Sequence, residues 1–78
     1  MFGFSPGKIF VSTKPCDMRK SFDGLLALIN RDFNDDAYSG NLYLFCSRRG
    51  DLIKAIWWDR DGWAIFAKRL ELGRFCFP

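Results

Sequence analysis

The sequence predicts an α+β domain in which one main helix packs on an antiparallel β-sheet arranged as a meander. Three observations support this prediction. One segment places its apolar residues at helical spacing, several other segments are short runs rich in β-branched and aromatic residues, and turn-forming residues separate these runs. With 78 residues, of which 49% are hydrophobic, the chain can build one core but not two. We therefore expect a single domain over residues 1–78.

The first two predicted elements are a short strand and the helix. Lys8–Thr13 is rich in β-branched and aromatic residues and lies between two prolines, which end regular structure. The apolar residues that follow repeat at intervals typical of one face of a helix. They are Phe22, Leu25, Leu26, Ile29 and Phe33. We expect the helix to run from about Met18 to Phe33, with Asp17 or Ser21 capping its first N–H groups.

The remaining predicted strands lie in residues 41–77. Leu42–Cys46 is a continuous apolar run, which is typical of a central strand covered on both faces. Leu52–Trp58 and Trp63–Arg69 are joined by Asp59–Gly62, whose Asp-Gly pair favours a hairpin. Arg74–Phe77 alternates between polar and apolar residues and is predicted to be an edge strand.

The predicted sheet has more apolar surface than one helix can cover. Because successive side chains of a strand point to opposite faces, Leu52–Trp58 places apolar groups on both. We expect the uncovered face to bear Trp58 and to act as an interaction surface or a dimer interface. A homodimer through this face or through the Arg74–Phe77 edge is predicted. The alternative is a monomer in which Met1–Pro6 folds over the open face.

Basic residues are concentrated in the second half of the chain. Residues 1–41 carry five basic and five acidic residues, whereas residues 42–78 carry seven and four, which gives the net charge of +3. A polyanionic partner would therefore meet the second half. The residues predicted to contact DNA phosphates are Arg48, Arg49, Lys54, Lys68, Arg69 and Arg74.

Pairing of the strands as a meander would bring two of these basic pairs together. Arg48-Arg49 and Lys68-Arg69 then lie near each other, and neighbouring tryptophans could stack on bases. The alternative is that the tryptophans fill the core and the basic side chains are solvated or paired with carboxylates.

The composition argues against an enzyme. The chain has no histidine, which excludes histidine-based catalysis and mixed Cys/His zinc sites. Asp51, Asp59 and Asp61 could hold the divalent ions of a nuclease. However, Asp59 and Asp61 fall in a tight turn, where aspartate is favoured because it bonds to the backbone. We predict no catalytic residue, no metal and no cofactor.

The cysteines and the N-terminus indicate a reducing compartment. The chain has three cysteines, which is an odd number, and no two of them have CxxC spacing. We therefore expect free thiols at Cys16, Cys46 and Cys76. The N-terminus has no signal-peptide pattern, and no apolar run is long enough to cross a membrane. We expect a cytoplasmic protein without a membrane partner.

Several strings of residues together resemble one bacterial family. The residues that carry the resemblance are Asp17, Met18, Arg19, Lys20, Phe22, Asp23, Gly24, Trp58, Asp59, Gly62, Glu71 and Gly73. Over residues 8–78 the chain resembles the small accessory protein of insertion sequences of family sixty-six, the TnpB-type product of the second open reading frame.

The resemblance implies a non-catalytic protein of a transposable element, which assists transposition by binding the transposase, the element's DNA or both. The alternatives are a protein-interaction module that does not bind DNA and an inactive remnant of a transposon protein. Family members usually continue beyond the position of Pro78, so the resemblance also implies a copy that is truncated at its C-terminus, naturally short or a remnant.

Overall fold

The computed structural model describes residues 6–33 and 36–75. The elements in chain order are β1 (Ile9–Val11), α1 (Phe22–Asp32), a 3-10 helix (Ala37–Ser39), β2 (Leu42–Cys46), β3 (Leu52–Trp58) and β4 (Trp63–Arg69). The strands form one sheet in the order β1-β2-β3-β4, and α1 packs on one face of it. The predicted α+β class is confirmed. Within residues 6–33 and 36–75, no helix is long and apolar enough to cross a membrane.

The sheet is mixed, which corrects the prediction of an antiparallel meander. β2, β3 and β4 pair in antiparallel fashion as expected, but β1 pairs with β2 in parallel, with Ile9 opposite Leu42. The cause is the connection through α1, which carries the chain back along the sheet so that β2 starts at the same end as β1. The chain thus contains a β-α-β unit to which the β3–β4 hairpin is added.

The helix starts later than predicted because a separate turn precedes it. Lys20 N donates to the carbonyl oxygen of Asp17 at 3.1 Å, and an Asp17 carboxylate oxygen accepts the N–H two residues later at 3.0 Å. α1 therefore begins at Phe22 and not at Met18. The expected capping is also wrong: Ser21 occupies the N-cap position without a side-chain hydrogen bond, and Asp17 caps the turn.

Most of the predicted apolar face of α1 packs against the sheet. Leu25 and Ile29 are fully buried, and Leu26 is half-buried. Phe22, which was expected in the core, is 44% exposed, and Leu28 is buried instead. The helix begins at Phe22, so this ring lies at the margin of the contact, whereas Leu28 lies one turn after Leu25 on the same side.

The main core lies between α1 and the sheet. Its largest fully buried side chains are Tyr43, Phe45, Leu25, Ile29 and Ile56. The rings of Phe10 and Tyr43 stack with centroids 5.5 Å apart, and Phe33 packs against both at 5.6 Å. These three rings join β1, the end of α1 and β2, so aromatic packing stabilises the parallel strand pair.

The opposite face of the sheet has a second, smaller cluster. Its buried residues are Leu42, Ala55 and Trp57, with Leu44 and Ala64 packed against them. Trp58 was expected on this face, and that expectation is wrong. Because side chains alternate along β3, Trp58 lies on the same face as Ile56, which is the face that α1 covers. None of the described helices covers the face that carries Trp57.

The β3–β4 hairpin has the predicted bounds. Trp58 lies opposite Trp63, and Asp59 N donates to the carbonyl oxygen of Gly62 at 2.7 Å across the turn. The residue in the left-handed region is Arg60, with a φ of 62°, although Gly62 was the natural candidate for that conformation. The turn therefore requires Arg60 to adopt a backbone conformation that is rare for L-residues.

Among the described residues, the outer edge of the sheet is β4. The predicted edge strand Arg74–Phe77 is described only at its first two residues. Arg74 and Phe75 are not in a strand, whereas Cys76 and Phe77 lie outside the described residues, as do residues 1–5 of the segment expected to cover the open face. After β4 the chain turns back across the β2–β3 connection. Leu70 N donates to the carbonyl oxygen of Asp51, and Phe75 N donates to that of Gly50, both at 2.7 Å.

Candidate nucleic-acid interface

Two of the predicted basic pairs meet at one end of the sheet. Arg48 and Arg49 lie in the turn that precedes β3. The antiparallel register places Lys68 opposite Ile53 and Arg69 opposite Leu52, which is the first residue of β3. The end of β4 therefore lies beside the β2–β3 turn, as the sequence predicted.

Arg74 joins the same end because the chain folds back after β4. The bond from Phe75 N to Gly50 places Arg74 next to this glycine, and a Cβ atom on Gly50 would lie 3.4 Å from Arg74 Cβ. Gly50 also has a φ of 79°, so the turn needs glycine here. We use the name basic end for this set: Arg48, Arg49, Lys68, Arg69 and Arg74.

The basic end has an excess of positive charge that its surroundings do not neutralise. Its five side chains are exposed. The described ion pairs involve Arg19, Arg31 and Arg60, and none involves a member of the basic end. The carboxylates nearby in the chain are those of Asp51, which accepts a hydrogen bond from Ser47 Oγ at 3.1 Å, and Glu71. Five cations against two anions make this end attractive to a polyanion.

Two arginines in the first half of the chain, unlike those of the basic end, are paired with carboxylates. Arg19 forms a bidentate pair with Asp17, in which Nη2 and Oδ2 lie 2.8 Å apart, and hydrogen bonds from Arg19 hold the pKa of Asp17 well below its usual range. Arg31 pairs with Asp32 at 2.7 Å, and its hydrogen bonds lower the pKa of that carboxyl. These charges are neutralised locally and offer little to a phosphate backbone.

Lys54 is placed differently from the other predicted phosphate contacts. It lies on the face of β3 that α1 covers and is half-buried. Its Nζ donates to the carbonyl oxygen of Lys20 at 2.9 Å. Its ammonium group therefore links β3 to the start of α1.

The residues that carry the family resemblance fall into three places. Asp17, Met18, Arg19 and Lys20 belong to the turn before α1, and Phe22, Asp23 and Gly24 to its first turn. Trp58 ends β3, Asp59 and Gly62 belong to the β3–β4 turn that follows it, and Glu71 and Gly73 lie in the segment that leads to Arg74. The structure does not gather them into one site.

Gly24 allows close packing within the first group. A Cβ atom on Gly24 would lie 3.0 Å from Lys20 Cβ and 3.1 Å from Lys20 Cγ. The stem of Lys20 thus lies over the glycine, and its carbonyl receives Lys54 Nζ. Close packing at Gly24 was predictable from a glycine inside the helix, but its partner Lys20 and the bond from Lys54 were not.

Aromatic residues collect at the opposite end of β3 and β4. Ring centroids of Tyr38 and Trp58 lie 4.9 Å apart, those of Tyr38 and Trp63 5.1 Å, and those of Trp58 and Trp63 5.2 Å. We call these three residues the aromatic end. At about 3.3 Å per residue, the length of β3 separates it from the basic end by about 20 Å. Trp57 is buried, so the structure does not interleave the tryptophans with the arginines.

The carboxylates considered as metal ligands are also separated. Asp51 precedes β3, whereas Asp59 and Asp61 follow it. Asp59 and Asp61 form the turn, where Asp61 N donates to the carbonyl oxygen of Asp59 at 2.6 Å. Within the described part of the chain, no group of three or more residues of metal-binding type comes together.

The two described cysteines are free, as expected. Cys16 is buried in the main core, and this burial raises the pKa of its thiol. Cys16 N donates to the carbonyl oxygen of Cys46 at 2.9 Å, which fixes the segment after β1 against the end of β2. Cys76 lies outside the described residues.

Comparison with known proteins gives a family and two relatives. A protein-family model described as IS66 Orf2-like protein matches residues 7–78. A protein of Sinorhizobium fredii named uncharacterized protein y4jC is 39% identical over 79 residues, which cover 100% of this chain and 68% of the relative. A second, named uncharacterized protein y4hO, is 37% identical over 71 residues, which cover 91% of this chain and 62% of the relative. No solved structure matches the chain.

The chain spans about two thirds of the length of these two relatives. The family match extends over all four strands, α1 and the basic end. It therefore includes the motif residues of the helix start, the β3–β4 turn and the segment before Arg74, and it confirms the resemblance found in the sequence. The chain belongs to the IS66 Orf2-like family.

Proposed function

We propose that this protein is a non-catalytic accessory factor of a bacterial insertion sequence and that it binds the DNA of the element through its basic end. Membership of the IS66 Orf2-like family supports a role associated with transposition. The observation that supports DNA as the ligand is the excess of exposed, unneutralised cations at one end of the sheet. Cationic side chains of this kind displace the counterions of a phosphate backbone.

The position of these cations also favours a nucleic acid over a small anion. Arg48 and Arg49 lie in a turn, Lys68 and Arg69 on neighbouring strand positions, and Arg74 on the returning segment. Because Lys68 and Arg69 point to opposite faces of the sheet, the five charges spread over an end of the molecule and do not converge on a pocket. A spread of charge suits an extended backbone with regularly spaced phosphates.

Fluorescence anisotropy with a labelled DNA duplex tests this function. If all five cations contact phosphates, the logarithm of the binding constant should fall with the logarithm of salt concentration with a slope of about −4.5. The double variant R48Q/R49Q should bind more weakly and reduce the magnitude of this slope by about 1.8. An element-end duplex and a scrambled duplex of equal length show whether binding depends on sequence.

The matched control is R19Q/R31Q, which changes the net charge by the same amount at arginines already paired with carboxylates. It should retain most of the affinity and the slope. The proposal fails if the wild-type protein does not bind at about 50 mM salt, or if the two double variants lose affinity equally.

A second candidate function is a docking module for the transposase at the aromatic end. Tyr38 is 62% exposed, although its ring is held by contacts with Trp58 and Trp63. A groove of about 210 Å³ lies beside it, lined in part by Leu26, Asn30 and Trp63. Exposed aromatic rings fixed by their neighbours are typical centres of protein interfaces.

Pull-down of the transposase in high salt separates the two functions. Binding at the aromatic end should persist in high salt, be lost in Tyr38→Ala and be retained in R48Q/R49Q. If R48Q/R49Q loses the interaction and Tyr38→Ala keeps it, the docking function at the aromatic end is wrong.

A further inference from the structure

We propose that the outer edge of β4 pairs in antiparallel orientation with β4 of a second copy of this chain, which gives a symmetric dimer with one continuous sheet. This inference does not depend on DNA binding. It is based on the chemistry of β4, on the direction of its backbone groups and on the distribution of charge along it.

Most of β4 lacks the features that usually protect a sheet edge, and its charged residues are confined to its last two positions, Lys68 and Arg69. Within the described residues, no strand pairs with its outer side. Its first five residues, Trp63–Ala67, contain no charge, proline or glycine, and Phe66 is 48% exposed. Edges of natural sheets are commonly short or carry charges, prolines or bulges, because an open apolar strand invites pairing.

The hydrogen bonds at both ends of the hairpin show which groups of β4 point outwards. Leu70 N bonds to Asp51 at one end, and Asp59 N bonds to Gly62 at the other. Bonded and non-bonded pairs alternate along an antiparallel ladder. With the observed register, the backbone N–H and C=O groups of Phe66 bond to β3. Those of Ile65 and Ala67, its two neighbours in the chain, point away from β3.

The residues with outward-pointing backbone groups are Trp63, Ile65, Ala67 and Arg69.

One register pairs the whole length of β4 and satisfies these groups. Trp63 then lies opposite Arg69 of the second copy, and Ile65 lies opposite its Ala67. Each of these pairs joins two residues whose backbone groups point outwards. Phe66 lies opposite Phe66 of the second copy in a non-bonded pair, with Cβ atoms about 5 Å apart.

The charges favour antiparallel over parallel pairing. Asp59 and Asp61 precede β4, and Lys68 and Arg69 end it. Antiparallel pairing brings Arg69 of one copy to the aspartates of the other copy and to the ring of its Trp63, which can accept a cation. Parallel pairing would place the cations of the two copies side by side, which is unfavourable.

The first test is the mass of the protein in solution. Light scattering over a concentration range should give twice the monomer mass of 9.1 kDa. Ala67→Pro removes an outward N–H group without removing a bond to β3, so it should weaken dimerisation at least tenfold. Ala67→Ser keeps the N–H group and should dimerise as the wild type does. Circular dichroism confirms that each variant is folded.

The second test is the register, and it does not require the proline variant to fold. Oxidation should cross-link Phe66→Cys rapidly, because the two Cβ atoms face each other. Lys68→Cys is the control, because its two copies would be about 13 Å apart in this register. The wild type gives the background from its native cysteines.

Three results would overturn the proposal. One is a mass of 9.1 kDa at every concentration. Another is a folded Ala67→Pro variant that dimerises like the wild type. The third is equal cross-linking of Phe66→Cys and Lys68→Cys. None of these results bears on whether R48Q/R49Q binds DNA.

Discussion

Lys54 has a structural role, although its charge suggested a phosphate contact. Its Nζ donates to the Lys20 carbonyl oxygen at 2.9 Å. The stem of Lys20 lies against Gly24, where a Cβ atom would be 3.0 Å from Lys20 Cβ. Lys54, Lys20 and Gly24 thus connect β3 to the start of α1. Two of these three residues belong to the motif that identified the family.

Replacing Lys54 tests this role. Lys54→Met keeps the aliphatic stem but removes the donor, so the free energy of unfolding should fall by about 1.5 kcal/mol, as for other hydrogen bonds from charged groups. Lys68→Met is the control, because Lys68 is exposed on the same sheet, and it should change stability by less than about 0.5 kcal/mol. Urea denaturation measures both. Equal losses would show that the bond from Lys54 contributes nothing specific.

At the scale of elements, the β3–β4 turn contains local strain. Arg60 has a φ of 62°, a region in which an L-residue is unfavourable by about 1–2 kcal/mol. Its contact with Asp59 is 4.0 Å long and lies in solvent, so it offsets little of this strain. The hairpin is maintained by strand pairing on both sides of the turn.

Glycine at this position should therefore stabilise the hairpin. Arg60→Gly relieves the steric conflict but increases the entropy of the unfolded chain, so we expect a net gain of about 0.5 kcal/mol in the free energy of unfolding. Arg60→Ala removes the same side-chain contacts and keeps the strain. If Arg60→Gly is no more stable than Arg60→Ala in thermal denaturation, the strain has no energetic consequence.

Helices and strands were predictable from the sequence where a local pattern determines them. The contacts between these elements were harder to predict. Spacing identified α1, and turn residues identified the β3–β4 hairpin, so the approach of Arg48 to Arg69 followed from pairing alone. The direction of β1 depends on the crossover through α1, which no local pattern encodes. Trp57 and Trp58 are adjacent and equally apolar, so alternation separates their faces without showing which face the helix covers.

At the scale of the whole molecule, charge and aromatic surface lie at opposite ends of one hairpin. Arg48, Arg49 and Arg74 lie on connections outside β4, so pairing of β4 between copies would leave them available to a DNA backbone. Arg69 would be shared between the two roles. A dimer would place one basic end on each side of its two-fold axis, and it would present two separate cationic surfaces to a duplex.

The parallel pairing of β1 with β2 also has a consequence for folding kinetics. Lys8 N donates to Asn41 Oδ1 across 33 residues of sequence, whereas β3 and β4 are joined by the short Asp59–Gly62 turn. Closing the longer loop loses more chain entropy, so we expect the hairpin to be formed in the transition state and β1 to dock after it.

Folding and unfolding rates of conservative variants can test this order. Ile56→Val should slow folding, while Phe10→Leu should mainly accelerate unfolding. The opposite assignment would place β1 in the folding nucleus. If the expected order holds, β1, the first of the four strands to be synthesised, is the last to find its partner, and Phe10 stays exposed until α1 and β2 are complete.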